Sequence, residues 1–236
     1  MVKISLYKQL ERNSVFDAKK VSRIAKTSLN YARLLIHRMK REGVIYQIER
    51  NKYTVHEDVL IVASHIIWPS YISGWTTLNF YHLTEQIPTT ITIITTKGKR
   101  NRELLFANTR IEFIKVKPKY FFGYGKIIYR DFEIFIAEKE KAIIDAILLK
   151  NISFSAIAEI LKNNKNELNL NKLANYAVKT QEYGTIKRLG FLLEKFGTEI
   201  KVLKRFVKGR YILLDYTMPS CGKKNEKWKV IENVKL

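Results

Sequence analysis

Residues 17–55, DAKKVSRIAKTSLNYARLLIHRMKREGVIYQIERNKYTV, combine two short helical patterns with a strand–turn–strand pattern. Apolar residues recur at three- and four-residue spacing in residues 18–25 and again in residues 32–39, which predicts two consecutive amphipathic helices. Residues 46–48 and 53–55 flank a polar turn, which predicts a hairpin. We therefore expect two helices followed by a small antiparallel hairpin.

Three residues mark the ends of these helices. Asp17 and Ser28 can accept hydrogen bonds from the exposed backbone amides at a helix start, and Gly43 can end a helix in the left-handed conformation. Apolar residues at four-residue spacing in residues 2–10 predict one more helix upstream. Three short helices followed by a hairpin are typical of a winged helix-turn-helix, and residues 1–58 are predicted to form this domain.

The outer face of the predicted third helix carries polar and basic side chains. Asn30, Arg33 and His37 follow one another at three- and four-residue spacing, and a helix fits the major groove, where asparagine and arginine can each form two hydrogen bonds to one base. Basic residues at the hairpin tip can reach phosphates or a minor groove. Winged helices also dock proteins, but the net charge favours DNA. The predicted DNA-binding residues are Ser28, Asn30, Tyr31, Arg33, His37, Arg38, Arg50 and Lys52.

The charge of the chain is large and unevenly distributed. Its 236 residues have a formal net charge of +21, which favours a polyanionic partner, either nucleic acid or an anionic membrane surface. Residues 1–55 contribute +9, residues 56–185 contribute +4 and residues 186–236 contribute +8. The basic character is therefore concentrated at the two ends.

Cysteine and histidine usage excludes the common metal sites. With Cys221 as the one cysteine, no internal disulfide and no cysteine-based zinc site are expected, and the four histidines lack metal-ligand spacing. No glycine-rich phosphate loop is present, so no metal and no cofactor are predicted. No signal-peptide pattern and no apolar run of about 18 residues occur, so the protein is expected to be cytoplasmic, without membrane association.

Residues 59–236 are predicted to form a second domain, with a small sheet and several helices, because strand patterns come first and helical patterns follow. The whole chain is therefore expected to be α+β. A helix is expected to begin at Trp68-Pro69-Ser70 and to reach Gln86. The other expected elements are strands over 89–96, 111–116 and 211–215, a hairpin over 126–136, and helices over 138–149, 154–162, 170–179 and 181–196.

Five short motifs in this second domain resemble those of AbiEi-type antitoxins, which belong to type IV toxin–antitoxin systems. The motifs are Tyr71-Ile72-Ser73, the segment 81–88 (YHLTEQIP), Ile136-Ala137, the segment 140–145 (EKAIID) and the segment 188–193 (RLGFLL). The resemblance covers roughly residues 1–215, because that family also begins with a winged helix. It departs at His82, where relatives often have glycine.

The resemblance implies a DNA-binding repressor of its own operon. It also implies a C-terminal domain that opposes a nucleotidyltransferase toxin encoded beside it, often without a stable complex between the two proteins. The expected partners are thus double-stranded operator DNA and a cognate toxin.

The alternative to a DNA-binding regulator is a nucleic-acid-processing enzyme or an RNA-binding protein. In that case the winged helix would only dock the substrate. Asp131, Glu133, Glu138 and Glu140 lie close together in sequence and suggest a metal-dependent nuclease. Asp131 is expected in a turn, however, and Glu138 and Glu140 at a helix start, where they stabilise the helix dipole. Asp145 follows Lys141 by four residues, as in an intrahelical ion pair. No catalytic residue is predicted, and the protein is not expected to be an enzyme.

A second basic cluster near the C-terminal end has three- and four-residue spacing, which would place most of its members on one helical face. Such a face can be merely solvated, can contact phosphates, or can compete for the nucleotide or RNA substrate of a toxin. The sequence leaves these alternatives open. The predicted second basic surface comprises Lys201, Lys204, Arg205, Lys208 and Arg210.

Overall fold

The computed structural model describes the backbone of residues 2–236 and the side chains of residues 5–236. Within that range the chain mixes ten α-helices with strands in three sheets, as the α+β expectation requires. The helices are α1 (Val2–Glu11), α2 (Ala18–Ile24), α3 (Leu29–Arg41), α4 (Val59–His65), α5 (Trp75–Phe80), α6 (Lys139–Leu149), α7 (Phe154–Asn163), α8 (Leu170–Thr180), α9 (Tyr183–Lys195) and α10 (Lys201–Lys204).

The strands form a two-stranded, a three-stranded and a six-stranded sheet, with the orders β1-β2, β10-β11-β9 and β5-β6-β4-β3-β8-β7. Their bounds are β1 (Tyr46–Glu49), β2 (Lys52–Thr54), β3 (Ser70–Ser73), β4 (Thr90–Thr95), β5 (Glu103–Phe106), β6 (Thr109–Lys115), β7 (Tyr124–Tyr129), β8 (Phe132–Ala137), β9 (Ile212–Leu213), β10 (Lys223–Asn225) and β11 (Val230–Glu232).

Backbone contacts divide the chain into two compact units. The first holds the chain up to Tyr71 together with Thr89–Lys115 and Lys126–Phe135, and the second holds Ile72–Pro88, Val116–Gly125 and Ile136–Leu236. Both units are discontinuous in sequence. The domain boundary at residue 58 remains a prediction.

In the first unit, α1, α2, α3 and the β1–β2 hairpin enclose one apolar core. Phe16 exchanges two backbone hydrogen bonds of 2.9 Å with Tyr53, which adds a short third segment to the hairpin. Farther along the chain, β6 pairs in parallel with β4 and antiparallel with β5. The buried core residues of the helical part are Leu6, Leu10, Phe16, Ala18, Val21, Ala32, Ile36, Met39, Ile45 and Val55.

In the second unit, α6 is buried along most of its length and packs against α8 and α9. Strand β3 pairs in parallel with β8 at Ile72 and Ile136, and α6 begins two residues after β8. The Arg188 side chain of α9 is buried and donates to the backbone carbonyls of Leu213 and Leu214 at 3.0–3.1 Å, which fixes the start of the three-stranded sheet. The predicted helices over residues 138–196 are confirmed to within a few residues.

The expected helix over residues 68–86 is wrong. Ser70–Ser73 form β3 instead, and all four residues are buried, so the segment lacks the apolar–polar alternation of a half-exposed strand. Gly74 follows with a φ of 67°, a left-handed conformation that favours glycine and interrupts any helix. Only Trp75–Phe80 is helical, and the segment from Leu83 to Pro88 contains no helix or strand.

Gly190 in α9 lies against the buried indole ring of Trp228. A Cβ atom at this position would lie 2.0 Å from Cζ3 of that ring. We expect Gly190→Ala to lower the free energy of unfolding by about 1–3 kcal/mol, because the overpacking outweighs the helix propensity gained by alanine. Urea unfolding followed by circular dichroism measures the loss. In a Trp228→Phe background the added cost of Gly190→Ala should shrink, and an unchanged cost would show that the clash is not its cause.

Candidate nucleic-acid interface

The start of α2 is held by two side chains. The Asp17 carboxylate accepts from the backbone amide of Lys20 at 2.8 Å, as the predicted N-cap requires. The Asn51 amide oxygen accepts from the backbone amide of Ala18 at 3.3 Å. Because Asn51 lies in the turn between β1 and β2, this bond connects the hairpin tip to the first turn of α2.

A tight turn joins α2 to α3. Lys26 adopts a left-handed φ of 49°, and the Ser22 hydroxyl donates to the Thr27 carbonyl at 2.6 Å. The Ser28 hydroxyl then accepts from the Tyr31 amide at 3.3 Å, so the predicted cap of α3 is confirmed. The helix ends just before Gly43, whose φ is 71°.

Helix α3 has one buried face and one exposed face. Ala32, Ile36 and Met39 are buried in the core of the first unit. The exposed face presents a mixed surface, since 47% of Tyr31 and 42% of Leu34 are accessible beside the polar side chains. The predicted residues of this helix that the structure places on that face are Asn30, Tyr31, Arg33, His37 and Arg38.

Two of the predicted base-reading side chains contact each other. The Arg33 guanidinium donates to the Asn30 amide oxygen at 3.3 Å, and both side chains are exposed. The contact lies in the first half of α3, next to its capped N-terminal end. The Arg33 guanidinium and the Asn30 side-chain amide therefore lie side by side on the exposed surface of α3.

Helices α2 and α3 carry basic side chains and no acidic side chain. Residues 18–41 contain eight basic residues and no acidic residue. Exposed Arg41, which follows His37 by four residues, continues the outer face of α3, although sequence reasoning did not assign it to the site. The spacing that selected Asn30, Arg33 and His37 would have found it. The eight basic residues are Lys19, Lys20, Arg23, Lys26, Arg33, Arg38, Lys40 and Arg41.

The two basic residues of the hairpin tip differ in their surroundings. Arg50 is exposed, whereas the Lys52 ammonium lies 2.8 Å from the Glu49 carboxylate and donates to the Ile66 carbonyl at 2.5 Å. Lys99 also contacts the Glu49 carboxylate. Burial alone would raise the pKa of Glu49, but the hydrogen bonds from Lys52 and Lys99 outweigh it and lower that pKa. Lys52 therefore ties the hairpin to the rest of the first unit.

A further contact joins α3 to the hairpin. The Lys40 ammonium donates to the Gln47 side-chain oxygen at 2.6 Å. Beside it, the Tyr46 hydroxyl donates to the Glu57 carboxylate, and this hydrogen bond raises the pKa of Tyr46. The Lys40–Gln47 bond connects β1 to the C-terminal half of α3, and the Tyr46–Glu57 bond connects β1 to the segment after β2.

The predicted second basic surface is not a single helical face. Helix α10 ends at Lys204, and the chain continues through three-residue turns, with amide-to-carbonyl bonds from Phe206 to Leu203 and from Val207 to Lys204. The expected alignment of Lys201, Lys204, Arg205 and Lys208 on one helical face is therefore wrong. Helix α10 buries Leu203 alone, which is too little apolar surface to stabilise a longer helix. Lys204 pairs with Glu199. The exposed members are Lys201, Arg205, Lys208 and Arg210.

The acidic residues of the α6 region that were considered for catalysis, Glu138, Glu140 and Asp145, have structural partners. Glu138 accepts from the Tyr176 hydroxyl and lies 3.2 Å from the Lys172 ammonium. The Glu140 carboxylate accepts a hydrogen bond from the backbone amide of Asn169 at 3.0 Å. The Lys141–Asp145 ion pair expected from the sequence is present and fully buried. Each of these carboxylates thus holds α6 or an element packed against it.

Comparisons with known proteins give a fold and no family. No family model and no curated protein matches the chain. Among solved structures, the chain is similar to the RV2827C protein from Mycobacterium tuberculosis, with a TM-score of 0.65 and 9% sequence identity over 98% of this chain and 90% of that chain. At this identity the similarity shows the fold alone. Over residues 2–236, no helix is both long and apolar enough to cross a membrane.

Proposed function

We propose that this protein is a sequence-specific DNA-binding transcriptional regulator, and that residues 1–58 act as a winged helix-turn-helix. The observation that carries the proposal is the exposed face of α3, which presents Asn30 and Arg33. Residues 18–41, which include this face, contain no acidic residue. Such a helix can enter the major groove with its N-terminal half facing the bases.

Each part of the surface has a role in this proposal. Arg33 and Asn30 read base edges, because guanidinium groups bond guanine and side-chain amides bond adenine in the major groove. Arg38 and the exposed Arg50 contact phosphates on either side of the groove. Ser28 orients the first backbone amides of α3, and a helix N-terminus attracts a phosphate. Lys52 acts indirectly, by fixing the hairpin through Glu49.

We further propose that the regulator is an autorepressing antitoxin that opposes a nucleotidyltransferase toxin. This part of the proposal is supported by the resemblance to AbiEi-type antitoxins. The partners of Glu138, Glu140 and Asp145 support a structural role for these carboxylates, so no catalytic step is assigned to the protein. The operator would be the DNA upstream of its own gene.

Binding to this operator should weaken steeply as salt rises. If the proposed winged helix neutralises about five phosphates, its contacts alone should make the logarithm of the association constant fall with the logarithm of salt concentration at a slope of about −4 to −5. Fluorescence anisotropy with the upstream duplex and a random duplex of equal length measures both affinity and preference. Binding that ignores salt, or equal affinity for both duplexes, would contradict the proposal.

The antitoxin role predicts a function for the exposed cations near the C-terminal end. Charge reversal at Arg205 and Lys208 should impair growth rescue from the cognate toxin, because both side chains are exposed on the second unit. The same variant should keep its melting temperature and its operator affinity. Reversal at Lys162 and Lys195, also exposed in the second unit, is the matched control. Full rescue by the Arg205 and Lys208 variant would remove this surface from the toxin-opposing role.

A further inference from the structure

A second basic segment lies in the first unit, outside the proposed winged helix. Residues 96–102, TKGKRNR, connect β4 to β5 and will be called the basic loop. The side chains of Lys97, Arg100 and Arg102 are exposed. The proposed function does not use them.

The basic loop is attached to the β1–β2 hairpin. The Lys99 ammonium contacts the Glu49 carboxylate and lies 4.8 Å from the centre of the Phe113 ring, and only 11% of its side chain is exposed. Glu49 directly precedes Arg50, and Lys99 directly precedes Arg100. The ion pair therefore brings together the two chain segments that carry these exposed arginines.

A series of contacts extends from this ion pair to α3. The Gln47 side chain donates to the Glu49 carbonyl at 3.5 Å and accepts from the Lys40 ammonium of α3. The exposed end of α3, the hairpin and the basic loop are thus connected through hydrogen bonds and ion pairs within one compact unit. This connection within one unit allows all three to contact one extended ligand.

The charge around the loop remains positive after its acidic neighbours are counted. A cleft of about 550 Å³ is lined by Lys97, Lys99, Arg102 and Lys115. Two carboxylates, Glu103 and Glu112, also line it, so four cations face two anions, and Glu103 is paired with Arg110 outside the cleft lining. The Lys115 ammonium lies 3.9 Å from the position of a Cβ atom on Gly98, so it faces the loop backbone. Phosphate oxygens are the ligands that such a group of cations attracts.

We propose that the basic loop is a second phosphate-contacting surface, which extends the DNA footprint beyond the hairpin. This inference rests on the proposed function. Lys97, Arg100 and Arg102 contact backbone phosphates adjoining those reached by Arg50, and they add affinity without reading sequence. Duplex DNA is favoured over other polyanions because contacts through Glu49 and Gln47 connect the loop to the hairpin and α3, the elements proposed to bind DNA.

The test is the triple variant K97A/R100A/R102A of the full chain, titrated against the upstream duplex and a random duplex. Because about 0.9 units of salt slope accompany each phosphate contact, the slope should become shallower by about 2–3 for both duplexes. Affinity at about 0.15 M salt should fall at least about 10-fold, with the ratio between the duplexes unchanged. The single variant R100E should shift affinity in the same direction.

The matched control, K162A/K195A/K223A, removes the same net charge from exposed positions of the second unit. It should leave the slope unchanged. A wild-type slope in both loop variants, or an equal change in the control, would overturn the inference while the proposed function stands. Failure of the wild-type protein to prefer the upstream duplex would instead overturn the proposed function. Melting temperatures verify that each variant is folded.

Discussion

Asp145→Ala is expected to lower the free energy of unfolding by about 3–5 kcal/mol, because removing one partner of a buried ion pair leaves the other charge buried and uncompensated. Lys141 and Asp145 lie one turn apart in α6, and their side chains are 0% and 2% exposed. The Ser73 hydroxyl also donates to the Asp145 carboxylate at 2.8 Å. Urea unfolding at neutral pH measures the loss.

The charge that Lys141 retains in the Asp145→Ala protein predicts how the loss of stability changes with pH. Burial lowers the pKa of Lys141 below its ordinary value, although Asp145 acts to raise it. Without Asp145 the pKa should fall further. A lysine whose pKa is lower in the folded state binds fewer protons there than in the unfolded state, so stability rises with pH. The loss caused by Asp145→Ala should therefore be smaller at about pH 9 than at about pH 6.

Two further variants separate the ion pair from other causes. Glu133→Ala breaks an exposed pair with Lys126 and should cost no more than about 1 kcal/mol. Combining Lys141→Met with Asp145→Leu should recover much of the stability, since apolar side chains of similar size can replace a buried pair. A stable Asp145→Ala protein that lost its activity would instead favour the enzyme alternative.

The caps of α2 and α3 could be predicted because their causes are local. Asp17 and Ser28 bond to amides three residues away, and the left-handed turn at Gly43 depends only on its own backbone. The buried stripe of α3 follows from its helical period. These short-range rules specify which residues of α3 face outward, and so most of the candidate interface.

Features that depend on distant residues could not be predicted in this way. The sequence places Lys52 at a hairpin tip, but its ammonium donates to the backbone carbonyl of Ile66. The nearby Glu49 carboxylate forms an ion pair with Lys99. Strand β3 has buried residues on both faces, so it lacks the alternation that identifies a strand. For the same reason the contact between the basic loop and the hairpin could not be predicted, because Lys99 and its partner Glu49 lie 50 residues apart in the sequence.

The short motifs of the second unit have structural roles that explain their residue types. Within RLGFLL, Arg188 binds strand carbonyls and Gly190 makes room for Trp228. Within EKAIID, Lys141 and Asp145 form the buried pair. His82 has a φ of 57°, a left-handed conformation that favours the glycine often found there in the family this chain resembles. Arg188, Gly190, Lys141 and Asp145 therefore each have a packing role in the second unit.

The paired substitution Asn30→Ala and Arg33→Ala is expected to remove about 2–4 kcal/mol of discrimination between operator and random DNA, because each bidentate base contact contributes about 1–3 kcal/mol. The side chains touch each other at 3.3 Å, so their effects should not be additive. Affinity for random duplexes should fall far less than affinity for the operator. Competition titrations with every single-base variant of the operator measure the loss.

Arg50→Ala is the matched control, since Arg50 is equally exposed but belongs to the hairpin. It should weaken binding to all duplexes by similar factors and make the salt slope shallower by about 0.9, as expected for one phosphate contact. In the Arg33→Ala protein, substitution of one base pair of the operator should no longer weaken binding. Substitution of the other base pairs should weaken binding as much as it does for the wild-type protein. If the α3 variants retain full preference and Arg50→Ala alters it, the hairpin rather than α3 reads the sequence, since a phosphate contact carries no information about the base.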